Sequence, residues 1–176
     1  MSVSKKITFR LSESSIDAAI RELDAYKRSV QQKAETLGVR VAQRIRDEAA
    51  QDFSTAIVSD LLGQDPQYAK VQVTIQPQPG NITLVIAAGP DAIFVEFGAG
   101  VFYNGPAGSS PHPRGEELGL TIGSYGKGHG KRDVWGFFTE DGLVLTHGAP
   151  AKMPMLKAAE LVATQIYDIA QEVFRD

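Results

Sequence analysis

Residues 70–88 read KVQVTIQPQPGNITLVIAA, and this stretch decides the fold class. Val71, Val73 and Ile75 alternate with polar residues, the two-residue period of a strand with one buried face. Pro77-Gln78-Pro79-Gly80-Asn81 supplies turn chemistry, and residues 82–88 return as a second strand. The stretch is read as an antiparallel hairpin.

Upstream the period changes. Between residues 12 and 62 the only Gly or Pro is Gly38. Ile16, Ala19, Ile20, Leu23, Tyr26 and Val30 recur at three- and four-residue steps, as one stripe of a helix does. Ser12 offers an N-cap, with Glu13 and Asp17 in the first turn. The spacing predicts a helix over 14–37 that continues or breaks at Gly38 into 39–53, striped there by Val41, Ile45, Ala49 and Phe53. Such stripes serve the chain's own core or a neighbouring subunit. Before the helix, residues 6–11 alternate Ile7, Phe9 and Leu11 with polar residues and read as a strand.

Downstream of the hairpin, residues 91–97 read equally as helix or strand. Residues 134–138 and 143–146, joined by Glu140-Asp141-Gly142, form a second expected hairpin. Pro154 suits the first turn of a last helix, where its missing N–H is harmless. Met155, Ala158, Ala159, Val162, Ile166, Ile169, Ala170 and Val173 stripe that helix. It is expected to pack on the long N-terminal helix and the strands, with Ile166 and Ile169 inward. The fold class is α+β: antiparallel strands and hairpins packed with a long N-terminal and a C-terminal helix, plus a glycine-rich loop. One domain spans 1–176.

That loop is residues 98–133, an expected mobile arm. Ten of the 17 glycines lie between Gly98 and Gly130, too little apolar surface for a separate core. Over the whole chain, 43% hydrophobic and 22% charged residues are ordinary for a globular protein. Zero cysteines exclude disulfides, thiolate metal sites and a Cys nucleophile. A net charge of −3 provides no overall pull toward nucleic acid or anionic membrane. The apolar runs are too short to cross a bilayer, and residues 1–10 lack a signal-peptide core.

The chemical motifs fail on spacing. A phosphate-binding loop needs Gly separated by four residues from Gly-Lys, then Ser or Thr. In GSYGKGHGK (123–131), Tyr125 and Thr121 stand at the required Gly positions, and Arg132 and Gly128 follow the lysines. His112, His129 and His147 are 17 and 18 residues apart, unlike the short spacings of common metal sites. No Gly-x-Ser-x-Gly elbow is present. No catalytic, cofactor or metal residues are assigned.

The order of segments is more informative. Phe94-Val95-Glu96-Phe97-Gly98 is followed by Tyr103-Asn104-Gly105, Ser110-Pro111-His112-Pro113, Gly123-Ser124-Tyr125-Gly126-Lys127-Gly128 and Trp135-Gly136-Phe137. His147-Gly148-Ala149-Pro150 and Met153-Pro154-Met155 close the series. The chain from about residue 91 onward resembles the tail-component family of long-tailed bacteriophages and prophages, whose members are minor capsid, neck or tail-completion proteins. The resemblance implies a structural virion protein at the head–tail junction, present in the host cytoplasm during assembly. Its copies would form a homo-oligomeric ring between the portal or connector and the tail tube or tail-terminator protein. DNA would only pass through the channel, and no membrane or cofactor is involved. The motif residues are Glu96, Phe97, Gly98, Tyr125, Lys127, His147, Pro154 and Met155. Two other classes remain open: a DNA-binding accessory domain using Lys127, Lys131 and Arg132, and a hydrolase with a site near Glu96 and His147.

Glu96 stands between two apolar residues expected to bury, where an unpaired charge is costly. It is expected to anchor the chain structurally, through backbone N–H groups at 98–100, or through His147 or Arg132.

Overall fold

The computed structural model describes residues 6–8, 10–59, 67–100, 110–120, 135–140, 142–146 and 148–175. Helix α1 (Glu13–Ser54) is unbroken for 42 residues. A Gly inside a helix costs about 1 kcal/mol against Ala. At Gly38 the helix continues because the packed part of α1 begins there, and Thr83 Oγ1 lies 3.9 Å from where a Cβ would sit.

Strands β1 (Ile57–Ser59) and β2 (Gln67–Tyr68) pair antiparallel. The hairpin follows as β3 (Gln72–Gln78) and β4 (Ile82–Ala88). Gln78 pairs with Ile82. The three intervening residues make the turn, with Gly80 and Asn81 at positive φ, the region that Gly and Asn enter most readily. Val73, Ile75, Val85 and Ala87 share the half-buried face. Val73 and Ala87 pack against the core, while Ile82, Leu84 and Ile86 are exposed on the other face.

Helix α2 (Ala92–Phe97) resolves the ambiguity at 91–97 as helix. Strand β5 (Ala99–Gly100) pairs with β8 (Gly148–Ala149), and β6 (Trp135–Thr139) with β7 (Gly142–Thr146). Helix α3 (Pro154–Phe174) closes the chain. It runs antiparallel to the rear of α1: Ala158 joins Ala49 and Phe53 in one cluster, and Arg40 meets Glu172 at 3.6 Å. Val95 and Ala56 complete that cluster, with Met155, Ile45 and Val71 packed around it. Long helices over small antiparallel strand pairs give an α+β architecture.

Three expectations change. Among the described residues of 6–11 there is no strand, and Leu11 is 95% exposed. An alternating segment becomes a strand only where a neighbour completes its ladder. Ile166 is 48% exposed rather than inward, because Val162 and Val173 hold the buried line of α3. Residues 110–120, assigned by composition to a mobile arm, fold against α2. Ser110, His112 and Gly115 are buried there. Ser110 N–H donates to Leu120 O at 3.0 Å and Leu120 N–H to Gly115 O at 2.8 Å, closing the loop on itself. The rest of the expected arm, 101–109 and 121–134, lies outside the described residues.

Candidate functional site

Helix α3 begins with a problem of unsatisfied donors. The first N–H groups of any helix have no partner within it, and an N-cap side chain normally accepts one or two of them. The N-cap position here is Met153, which has no acceptor and sits in the left-handed region at φ 55. Pro154 has no N–H to satisfy. Lys157 N–H already reaches Met153 O at 2.9 Å, the first bond of the helix ladder. Met155 and Leu156 N–H are left.

Both are taken by Glu96. Its Oε2 accepts from Met155 N–H at 2.8 Å and its Oε1 from Leu156 N–H at 3.0 Å. A residue about sixty positions upstream therefore caps this helix from outside, and a carboxylate there also favours the positive end of the helix dipole. Glu96 is only 7% exposed. The nearby backbone is tied as well, since Lys152 N–H donates to Val95 O at 2.8 Å.

The third segment arrives with His112, also 7% exposed. Its Nε2 lies 3.3 Å from Glu96 Oε1, and its Nδ1 accepts from Arg114 N–H at 3.1 Å. Those two contacts select the Nε2–H tautomer, which donates to the carboxylate. The His112 ring packs on Phe97 with centroids 4.3 Å apart. Ser110 hydroxyl donates to Phe97 O and accepts from His112 N–H. A side chain at Gly115 would bring its Cβ within 2.7 Å of Ser110 Cβ, so the loop needs glycine there. Gly98, at φ 80 and ψ 170, ends α2 in a conformation essentially reserved for glycine.

Ser110, His112 and Glu96 are the residue types of a hydrolytic triad, wired differently. In a triad one imidazole nitrogen faces the hydroxyl and the other the carboxylate. Here one faces Glu96 and the other a backbone N–H, while the hydroxyl is spent on Phe97 O. The arrangement fastens three chain segments together. A cavity of about 380 Å³ opens beside it, lined by Phe53, Ala92, Phe97, His112 and Met155 among others. Among the described residues no group of three His, Cys, Asp or Glu could hold a metal, and no helix is long and apolar enough to cross a membrane.

Of the motif residues read from sequence, the structure brings together Glu96, Phe97, Gly98, Pro154 and Met155. Tyr125, Lys127, His147 and Arg132 lie outside the described residues. Glu96 does bind backbone N–H groups, but those of the last helix rather than those at 98–100. Sequence reasoning missed Leu156, Ser110 and His112 as its companions. The available signal was negative: Met153-Pro154 opens a helix with no capping side chain of its own, so the cap had to come from elsewhere. No family model matches the chain, and neither a curated protein nor a solved structure does.

Proposed function

We propose that the protein is a structural component of the head–tail junction of a long-tailed phage particle. Its copies form a ring between the portal or connector and the tail tube or tail terminator, with DNA passing through. The observation that carries this reading is the convergence of segments 95–98, 110–113 and 153–155. These segments also carry the resemblance to phage tail components, and in the fold their polar groups meet at one junction. A carboxylate, an imidazole and a hydroxyl committed to holding backbone segments suit a scaffold that must keep its shape under assembly.

The test is disruption of the gene in the phage or prophage that carries it. The expected outcome is filled heads and tails that fail to join, restored when the chain is supplied in trans. Joined particles formed without the chain, or purified particles that lack it, refute the reading. Electrophoretic mobility of DNA with the isolated chain separates the competing class. A retardation that falls steeply with salt would favour phosphate contacts by the basic loop over a junction role.

A further inference from the structure

The β3–β4 hairpin is a sheet of two strands, so each strand has one edge with no neighbour in its own sheet. Helix α1 packs on the inner face, where Val73 and Ala87 join the core. The two edges differ in their chemistry. Pro77 of β3 pairs with Thr83 of β4. A proline has no N–H for the ladder and is accommodated where its nitrogen points away from the partner strand. Pairs alternate along an antiparallel ladder between those that exchange hydrogen bonds and those whose N–H and C=O groups point outward. Pro77–Thr83, Ile75–Val85 and Val73–Ala87 are therefore the outward-pointing pairs. On β3 the proline removes a donor from the outer row. On β4 Thr83, Val85 and Ala87 present three N–H and three C=O groups. Among the described residues no backbone hydrogen bond from outside the hairpin reaches them.

Such a row fits an extended strand. Sheet edges that stay alone are commonly guarded by a charge, a proline or a bulge. Strand β4 has none of these. Between residues 71 and 90 there is no Asp, Glu, Lys or Arg, β4 contains no proline, and its register runs without a shift. Antiparallel pairing of β4 with itself, centred on Val85, satisfies every one of the outward groups. Val85 then faces its own counterpart and Thr83 faces Ala87. At the closer places between them Leu84 faces Ile86, so apolar side chains meet on the outer face and no like charges are opposed.

We propose that β4 pairs antiparallel with β4 of a second copy across a two-fold axis at Val85, joining the two hairpins into one four-stranded sheet. The contact uses the same surface on both copies and closes on itself, and Pro77 at each outer edge stops the sheet from adding a further strand. The pairing does not rest on the virion reading, and either can fail without the other.

Residue-resolved hydrogen exchange of the full chain at rising concentration reads the edge directly. The N–H groups of Thr83, Val85 and Ala87 should gain at least about tenfold protection as the dimer forms. Those of Leu84 and Ile86, which already face β3, should change little. Sedimentation should show a monomer–dimer equilibrium. A variant carrying Leu84→Lys with Ile86→Lys, and another carrying Leu84→Glu with Ile86→Glu, set like charges opposite one another and should each dimerise at least roughly tenfold more weakly. Leu84 and Ile86 are exposed in the single chain, so circular dichroism of both variants should match the parent. Mixing the two variants should restore dimers, because each lysine then faces a glutamate. A chain that stays monomeric into the sub-millimolar range, a dimer without new protection at Thr83, Val85 and Ala87, or charged variants that dimerise like the parent would each overturn the proposal. So would protection of those three groups that arises only when a different protein is added, which would assign the edge to a foreign strand.

Discussion

The rear and the front of α1 carry similar apolar residues at similar spacing, yet only the rear is buried within the chain. Phe53 is 1% exposed and Leu23 57%. What differs is the partner. The rear meets α3 and the β3–β4 hairpin, whose own apolar faces match it, whereas from Glu13 to Thr36 no residue of the front is buried. An amphipathic stripe states that a helix needs a partner, and it does not say whether that partner lies in the same molecule.

The largest effect expected from this contrast is at Phe53. Phe53→Ala should destabilise the chain by about 3–5 kcal/mol, the range for emptying a well-packed aromatic site. Leu23→Ala, measured under monomeric conditions, should stay within about 0.5 kcal/mol, as exposed sites do. Denaturant titration of the two variants checks both. Comparable losses would mean that the front of α1 is covered within the monomer.

Next is the junction that locks the start of α3 onto the rear body. Glu96→Gln keeps the shape and one carbonyl acceptor. It also turns an NH2 donor toward N–H groups that need acceptors, and it removes the charge. The expected loss is about 1–3 kcal/mol, the range for leaving a buried donor unpaired. Hydrogen exchange should show faster opening at Met155 and Leu156 than in the parent. Unchanged stability and exchange would show that Glu96 does not cap α3.

Gly38 joins the two parts and offers an effect of opposite sign. It is helical, and a Cβ there would make only an ordinary contact with Thr83. Gly38→Ala should raise stability by about 0.5–1 kcal/mol, because the helix loses its most flexible residue. A loss would mean that close approach of the hairpin requires glycine at this point. Ile166 tests the third surface. At 48% exposure, Ile166→Ala is expected to cost about 0.5 kcal/mol or less, whereas an inward Ile166 would have cost several times more.

These sites also show how much could be read from the sequence. The β3–β4 hairpin was legible because strand period, turn residues and return strand agree over nineteen consecutive residues. Helices α1 and α3 were legible for the same local reason. Ile166 was misplaced because Val162, Ile166, Ile169 and Val173 satisfy the period equally well, and only the seat of α1 selects among them. The alternation at residues 6–11 lacked a pairing partner, which no local pattern can supply. The junction was half legible: a carboxylate flanked by Val95 and Phe97 called for a partner. The donors it meets lie about sixty residues on, at a helix start that the chain leaves uncapped. His112 looked like one histidine in a glycine-rich arm, and its burial depends on Gly115 letting the loop close on Ser110.

The smallest effect concerns what holds that loop. Arg114 and Glu117 form an ion pair on its outer surface, with Nε 3.1 Å from Oε2. The hydrogen bond from Arg114 and then its charge hold the Glu117 carboxyl below its ordinary value, and the same contacts raise the guanidinium. A carboxylate with a lowered folded pKa contributes stability above its unfolded pKa. That contribution is lost as pH falls from the usual carboxylate range, about 4.3, through the lowered folded value. The raised pKa of Arg114 acts only at alkaline pH far above that window. Both side chains are more than half exposed, so water and salt screen the pair, and exposed pairs of this kind often contribute nothing measurable. Glu117→Gln is therefore expected to leave the unfolding midpoint at neutral pH unchanged. Any small difference from the parent should fade with added salt and disappear in acid below the carboxylate range. His112 should stay as protected from exchange as before, since its ties run to Glu96, Ser110 and the Arg114 backbone. A clear drop in the midpoint, with faster exchange through 110–120, would show that the surface pair holds the loop. The buried junction would then be a consequence of that closure.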